Sequence, residues 1–88
     1  MNKLEQLNDV LQTRLRYVRN WNSVTVWLSS DTEFSIKWSG NLGDPDNDGA
    51  FHTVTYPMKM LSYVIREQGR KLKKDIPVSE QAVLKVVL

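Results

Sequence analysis

Apolar residues recur every three or four positions over the first 21 residues and predict one long amphipathic helix. The spaced positions are Leu4, Leu7, Leu11, Leu15, Val18 and Trp21. This spacing is typical of a helix that buries one face. Acidic residues lie toward the start of the segment and arginines toward its end, which complements the helix macrodipole. Asn20 and Asn22 then indicate a stop.

The pattern next changes to strict alternation and predicts three strands. Residues 23–29 alternate Val24, Val26 and Leu28 with Thr25 and Trp27, and residues 33–39 alternate Phe34, Ile36 and Trp38 with polar residues. This period of two is typical of half-buried strands, here joined by a short polar turn into an antiparallel hairpin. Residues 40–49 are rich in Gly, Asp and Asn and predict a long loop. The β-prone residues 50–55 then predict a returning third strand.

A second helix is predicted after the third strand, with Thr55 as its N-cap and Pro57 in its first turn. Its apolar stripe is Leu61, Val64, Ile65 and Leu72. Gly69 interrupts the helix at a cost of about 1 kcal/mol relative to Ala. We therefore expect either that the helix ends near Gln68 or that another element packs closely at the glycine.

These elements predict an α+β fold of order α-β-β-β-α, with two helices packed on one face of a three-stranded antiparallel meander. The tail adds a short C-terminal element. Ser79 suits the start of a helix, while the Val-rich end at residues 83–88 suits a strand, so both forms remain open for residues 79–88. With 88 residues the chain is predicted to be a single domain over 1–88.

Composition removes several classes of function. The sequence contains no cysteine, which excludes disulfide scaffolds, thiolate metal sites and cysteine nucleophiles. No apolar run approaches the length of a membrane helix, and the first residues lack the apolar stretch of a secretory signal. We therefore expect a cytoplasmic protein that does not bind membranes.

Charge is segregated along the chain, although the net charge is only +2. The basic part falls on the second helix, where the candidate residues are the aromatic Tyr63 and the bases Lys59, Arg66, Arg70, Lys71, Lys73 and Lys74. Such a face can track phosphates, and Tyr63 can stack on an unpaired base. Arg14, Arg16 and Arg19 would add to it if the two helix ends converge. An ordinary solvated helix face is the simpler interpretation.

The element order is also the one found in double-stranded RNA-binding domains. In those domains the basic cluster lies at the start of the second helix, whereas here it lies at the end. This difference argues against transferring their function to this chain.

The acidic part of the chain lies in the predicted loop. Asp44, Asp46 and Asp48, followed by Gly49, match the first half of an EF-hand calcium loop. The twelfth position is Thr55 where a bidentate Glu belongs, so calcium is the less favoured hypothesis. The preferred alternatives are a solvated connection and an acidic tip that meets a basic partner surface and speeds association.

No arrangement of residues predicts catalysis. His52 is the only histidine, and it shares a predicted strand face with Ala50 and Val54 and points away from Phe51, Thr53 and Thr55. No serine has a nucleophile-elbow context and no phosphate-binding glycine loop is present. A chain of this size is also expected to have little volume for a pocket. We therefore predict a protein that is not an enzyme and has no cofactor.

Three tryptophans in a chain of this size predict that some are exposed and anchor an interface. Helices on the Val24, Leu28, Phe34 and Ile36 face would leave Thr25, Trp27, Ser35 and Lys37 exposed on the other. The alternative is that the C-terminal segment covers Trp27.

The preferred hypothesis is a protein-interaction module, of the kind that phages and mobile elements encode as regulators or inhibitors of host proteins. It would use Trp27 and the acidic residues Asp44, Asp46 and Asp48. Nucleic-acid binding through the second helix is the alternative.

Overall fold

A computed structural model describes residues 2–40 and 50–81 of the chain. The elements are α1 (Lys3–Leu15), β1 (Trp21–Ser30), β2 (Glu33–Gly40), β3 (Phe51–Pro57), a 3-10 turn (Met58–Met60), α2 (Leu61–Asp75) and α3 (Val78–Gln81). The predicted α-β-β-β-α order is confirmed, and the C-terminal element begins as a short helix. In the described part of the chain, no helix is long and apolar enough to cross a membrane.

α1 is shorter than the sequence pattern predicts. Its N-cap is Asn2, whose side chain accepts a hydrogen bond from the backbone N–H of Glu5 at 2.9 Å. The helix ends at Leu15, so Val18 lies in the following turn and Trp21 opens β1. Both residues still pack against the core. The apolar spacing therefore predicted which residues are buried, but it did not predict where the helix ends.

The strands form an antiparallel sheet of order β1-β2-β3, so β2 is central. Val24 lies opposite Trp38, and Ile36 lies opposite Val54. Because successive side chains point to opposite sides of a strand, the pairing divides the sheet into two faces. We call the helix-covered side the closed face. We call the other side the open face, and it carries Thr25, Trp27, Ser35, Lys37, Phe51, Thr53 and Thr55.

The core lies between the closed face and the two helices. Its most buried members are Leu7, Leu11, Phe34, Ile36, Val64 and Ile65. α1 and α2 run in the same direction, because Lys3 donates a hydrogen bond to Ser62 near their starts and Arg14 pairs with Asp75 at their ends. Val10 of α1 joins Leu72 and Ile76 in a second apolar cluster at this end.

α2 starts later than predicted and continues past the glycine. Thr55 lies within β3 and caps no helix, and Pro57 ends that strand before the 3-10 turn. The helix runs to Asp75 without a break at Gly69, which is buried. Gly69 is seven residues from Ser62 and so lies on the same side of α2, the side that meets α1. The close contact expected at the glycine is therefore with α1.

Candidate functional site

The open face carries Trp27, which the sequence predicts as the anchor of a binding surface. Trp27 is 38% exposed, as predicted, while its role in binding stays a prediction. The register places Ser35 between Trp27 and Thr55. Ser35 and Thr55 share a hydrogen bond of 2.8 Å between their hydroxyls. Among the described residues no helix covers this row.

Two expectations for these strands are wrong. Ser35 was expected to face solvent but is only 1% exposed, because its neighbours on both sides cover a small side chain. Leu28 was expected beneath the helices but is 56% exposed. It lies on the edge strand β1, beside the core residue Phe34 of the central strand, so only its lateral position at the margin of the sheet separates it from the core.

A second exposed aromatic lies diagonally across the open face from Trp27. Phe51 is 67% exposed, and the Lys37 ammonium lies 5.0 Å from the centre of its ring. Strand spacing and rise place the two aromatics roughly 17 Å apart. The surface between them carries mainly Thr and Ser hydroxyls. The open face therefore offers two aromatic anchors, one cation and a set of hydrogen-bonding groups.

The other residues of the predicted protein-binding site are outside the described part. Asp44, Asp46 and Asp48 lie in residues 41–49, and so does the candidate calcium loop. Within residues 2–40 and 50–81, no group of three or more His, Asp or Glu side chains could hold a metal ion. The C-terminal segment is the predicted alternative cover for Trp27, and its residues 82–88 also lie outside the described residues.

The basic residues predicted on the second helix are exposed, but they do not form a purely cationic face. Arg70 pairs with Glu67 at 3.2 Å. The Tyr63 hydroxyl hydrogen-bonds to the same carboxylate, which holds the pKa of Glu67 below its usual value. This hydrogen bond also raises the pKa of Tyr63. Lys59 lies in the 3-10 turn, and the exposed residues of α2 in this set are Tyr63, Arg66, Arg70, Lys71, Lys73 and Lys74.

The C-terminal ends of the two long helices converge. Arg14 Nε lies 2.6 Å from Asp75 Oδ2, and Tyr17 donates a hydrogen bond of 3.2 Å to Glu80. This brings Arg16 and Arg19 to the end of the molecule where Lys73 and Lys74 also lie. Two parallel helices place their negative dipole ends side by side there, and the surrounding bases offset that charge.

A groove between α2 and β3 contradicts the expectation of little pocket volume. Its volume is about 380 Å³, within the range of small-molecule and peptide sites. From β3 it is lined by His52, Val54 and Tyr56, and from α2 by Gln68 and Lys71. The remaining lining residues are Arg14, Val18, Arg19, Asn20, Trp21, Ile36 and Trp38.

The groove is basic, and its aromatic residues are already engaged. Trp38 is 8% exposed, its ring lies 6.4 Å from that of Trp21, and the Arg14 guanidinium stands 5.3 Å from its centre. Tyr56 stacks on Phe34 at 5.4 Å. Besides His52, the described lining residues of the groove include the cations Arg14, Arg19 and Lys71 and no carboxylate. The groove therefore favours binding of an anion.

This groove was not predicted, although the sequence contains part of the signal for it. His52, Val54 and Tyr56 alternate along β3 and so share one side of the strand. Gln68 and Lys71 are three residues apart and so share one side of α2. Only the packing of α2 beside β3 brings the two sets together.

Comparison with known proteins identifies no relative: no family model, curated protein or solved structure matches the chain. Function is therefore inferred from the geometry and chemistry of the described residues.

Proposed function

We propose that this chain is a protein-interaction module without enzymatic activity, which binds its partner through the open face of the sheet. The observation that carries the proposal is the exposure of Trp27 at the edge of a sheet face that no described helix covers. Trp is the residue type that most often dominates interface energies when it enters a partner's pocket. A stoichiometric regulator or inhibitor of a host protein needs only such a surface.

The neighbouring residues support a role in binding more than a role in folding. Lys37 stands over Phe51 and so orients an exposed aromatic that contributes little to the core. Thr25, Thr53 and Thr55 offer hydroxyls that can hydrogen-bond to a partner without the cost of burying charge. An exposed aromatic among hydrogen-bonding groups is a usual feature of transient interfaces.

The test is affinity capture with three forms of the chain: the natural sequence, Trp27→Ala and Leu28→Ala. Leu28 is the matched control, because it is also exposed on β1 but points to the opposite side of the sheet. A partner retained in equal molar amount is identified by mass spectrometry and measured by calorimetry. We expect Trp27→Ala to weaken binding by about thirtyfold or more, and Leu28→Ala by less than about threefold. Equal effects of the two substitutions, or no stoichiometric partner, would sink the proposal.

A second candidate function is nucleic-acid binding, and the convergence of the helix ends favours it. The Arg14–Asp75 contact gathers Arg16, Arg19, Lys73 and Lys74 at one end. Phosphate contacts release counterions, so retention on duplex DNA or heparin should fall steeply between low and moderate salt. Elution that does not respond to salt would exclude this function.

A further inference from the structure

The outer edge of β3 is free to pair with another strand in the part of the chain that the structure describes. Backbone bonds from Gly40 to Ala50 and from Met58 to Thr32 fix the register at both ends of the β2–β3 ladder. In an antiparallel ladder the bonded residues alternate. His52, Val54 and Tyr56 therefore bond to β2, while Phe51, Thr53 and Thr55 turn their backbone N–H and C=O groups toward the free edge.

Among residues 2–40 and 50–81, nothing gives this edge the usual protection against pairing. Proteins block exposed edges with charged side chains, bulges, prolines or covering elements. β3 has no charged residue, and its only proline, Pro57, lies at its end. The opposite edge of the sheet differs, since Gln12 of α1 donates a hydrogen bond of 2.7 Å to the backbone carbonyl of Val24. Strand addition is therefore expected at β3 and not at β1.

The groove lies on the closed side of the same edge. A segment that pairs with β3 places every second side chain beside His52, Val54 and Tyr56, which line the groove. On the far wall are Gln68 and Lys71 of α2. Backbone pairing would supply affinity, and the side chains that enter the groove would supply specificity.

The charge of the groove selects the chemistry of the segment. Arg14, Arg19 and Lys71 line it, and Arg14 is already paired with Asp75. Arg19 and Lys71 are exposed and remain available for carboxylates. We propose that the β3 edge and the α2–β3 groove bind an extended acidic segment of another protein, which adds to the sheet as a fourth strand.

Two other occupants fit the groove less well. A single-stranded nucleic acid would need aromatic faces for its bases, but Trp38 is buried and Tyr56 stacks on Phe34. A second copy of this chain paired edge to edge would bring two basic grooves together, and like charges oppose that contact. This site does not depend on Trp27, although Phe51, Thr53 and Thr55 turn their backbone groups to the edge and their side chains to the open face.

The test uses a short capped peptide that alternates Glu with Val, and the same peptide with Lys in place of Glu. Binding is followed through the backbone amide signals of the isotope-labelled full chain. We expect the acidic peptide to shift the Phe51, Thr53 and Thr55 amides and to slow their hydrogen exchange, and the basic peptide to do neither. No binding of the acidic peptide at millimolar concentration would overturn the proposal.

Matched variants separate backbone pairing from charge. Thr53→Pro removes an outward N–H that β2 does not use and should abolish peptide binding, while Thr53→Val should change it by less than about twofold. Lys71→Glu should weaken binding about tenfold, and Lys73→Glu, which lies outside the groove, much less. Trp27→Ala should leave it unchanged. Binding that survives Thr53→Pro would show that no strand is added.

Three further measurements address misfolding of the proline variant and the two other occupants of the groove. Because Thr53→Pro could fail to fold, the acidic peptide is also made with N-methyl groups on alternate amides, which removes the hydrogen bonds that the peptide would donate to the outward carbonyl groups of β3. Undiminished binding of that peptide would overturn the proposal. Single-stranded DNA that shifts the same amides and competes with the peptide would assign the groove to nucleic acid instead. Edge-to-edge dimers in sedimentation that block the peptide would assign it to self-association.

Discussion

Arg14, in the last turn of α1, donates from Nε to Oδ2 of Asp75, the final residue of α2, at 2.6 Å. The same guanidinium donates to Gln68 at 3.1 Å and stands over the ring of Trp38. One side chain thus ties both helices to the central strand. This contact fixes one wall of the groove and brings the basic helix ends together.

Replacing Asp75 by Asn should destabilise the fold, because it leaves the partly buried Arg14 without its counter-charge. The side chains of the pair are only 19% and 26% exposed, so we expect a loss of about 1.5 kcal/mol in the free energy of unfolding. Glu67→Gln is the control, since the Arg70–Glu67 pair is 63% and 34% exposed and should contribute much less because solvent screens it. Urea denaturation measures both. Equal losses would contradict a structural role for the Arg14 pair.

The hydroxyl pair on the open face should be coupled in stability. Thr55→Val leaves the buried Ser35 hydroxyl without its 2.8 Å partner, at a cost of about 1–2 kcal/mol. Combining it with Ser35→Ala removes both polar groups, so the double variant should lose about 1 kcal/mol less than the sum of the single losses. Thr53→Val, also on the exposed side of β3, should change little. Additive losses in thermal unfolding would show that the pair is not coupled.

At Gly69, helix propensity and packing predict opposite effects of a larger side chain on the free energy of unfolding. Propensity alone predicts that Gly69→Leu stabilises α2 by about 0.8 kcal/mol. Because Gly69 is buried on the side that meets α1, we expect overpacking to win and the free energy of unfolding to fall by about 2 kcal/mol. Lys73→Leu, at an exposed position of the same helix, is the control and should be nearly neutral. A more stable Gly69→Leu variant would show that the two helices leave space there.

The Tyr63–Glu67 hydrogen bond should be visible in acid titration. The bond lowers the pKa of Glu67 from its usual 4.5 and raises the pKa of Tyr63 from its usual 10.0. Its stabilisation is therefore fully present between these two pH values. It is lost as pH falls through the lowered carboxyl pKa or rises through the raised phenol pKa.

Tyr63→Phe should raise the pKa of Glu67, measured from the carbon-13 signal of its carboxyl group. Tyr17→Phe removes a hydrogen bond to a different carboxylate, Glu80, and should not move the Glu67 titration. A Glu67 titration that is unchanged in Tyr63→Phe would show that the phenol does not perturb the carboxylate.

Local signals were sufficient for the elements and for their order. Alternation of apolar and polar residues in β1 and β2 predicted both the strands and the side of each that is buried, because a strand has a fixed side-chain period. The same pattern left the exposure of Trp27 as one of two alternatives, the other being cover by the C-terminal segment. Element ends were predicted less well. Trp21 extended the stripe of α1 but belongs to β1, because burial spacing alone does not record where the backbone changes conformation.

Contacts between segments that are distant in the sequence could not be predicted from local patterns. The exposure of Leu28 and the burial of Ser35 depend on how far the helices reach and on what lies in neighbouring strands. Gly69 could be explained only once α1 was known to pack beside α2. The groove required His52 and Lys71 to meet across two elements, and the intervening sequence contains no signal of their distance.

The sequence by itself determined the α-β-β-β-α order and the segregation of basic residues onto the second helix. Those features depend on periods and charges that each element carries alone. Tertiary structure decided the parallel packing of the two long helices, the free edge of β3 and the basic groove beside it. They depend on relative positions in space, which are set by the sum of many weak packing contacts and not by any single stretch of chain.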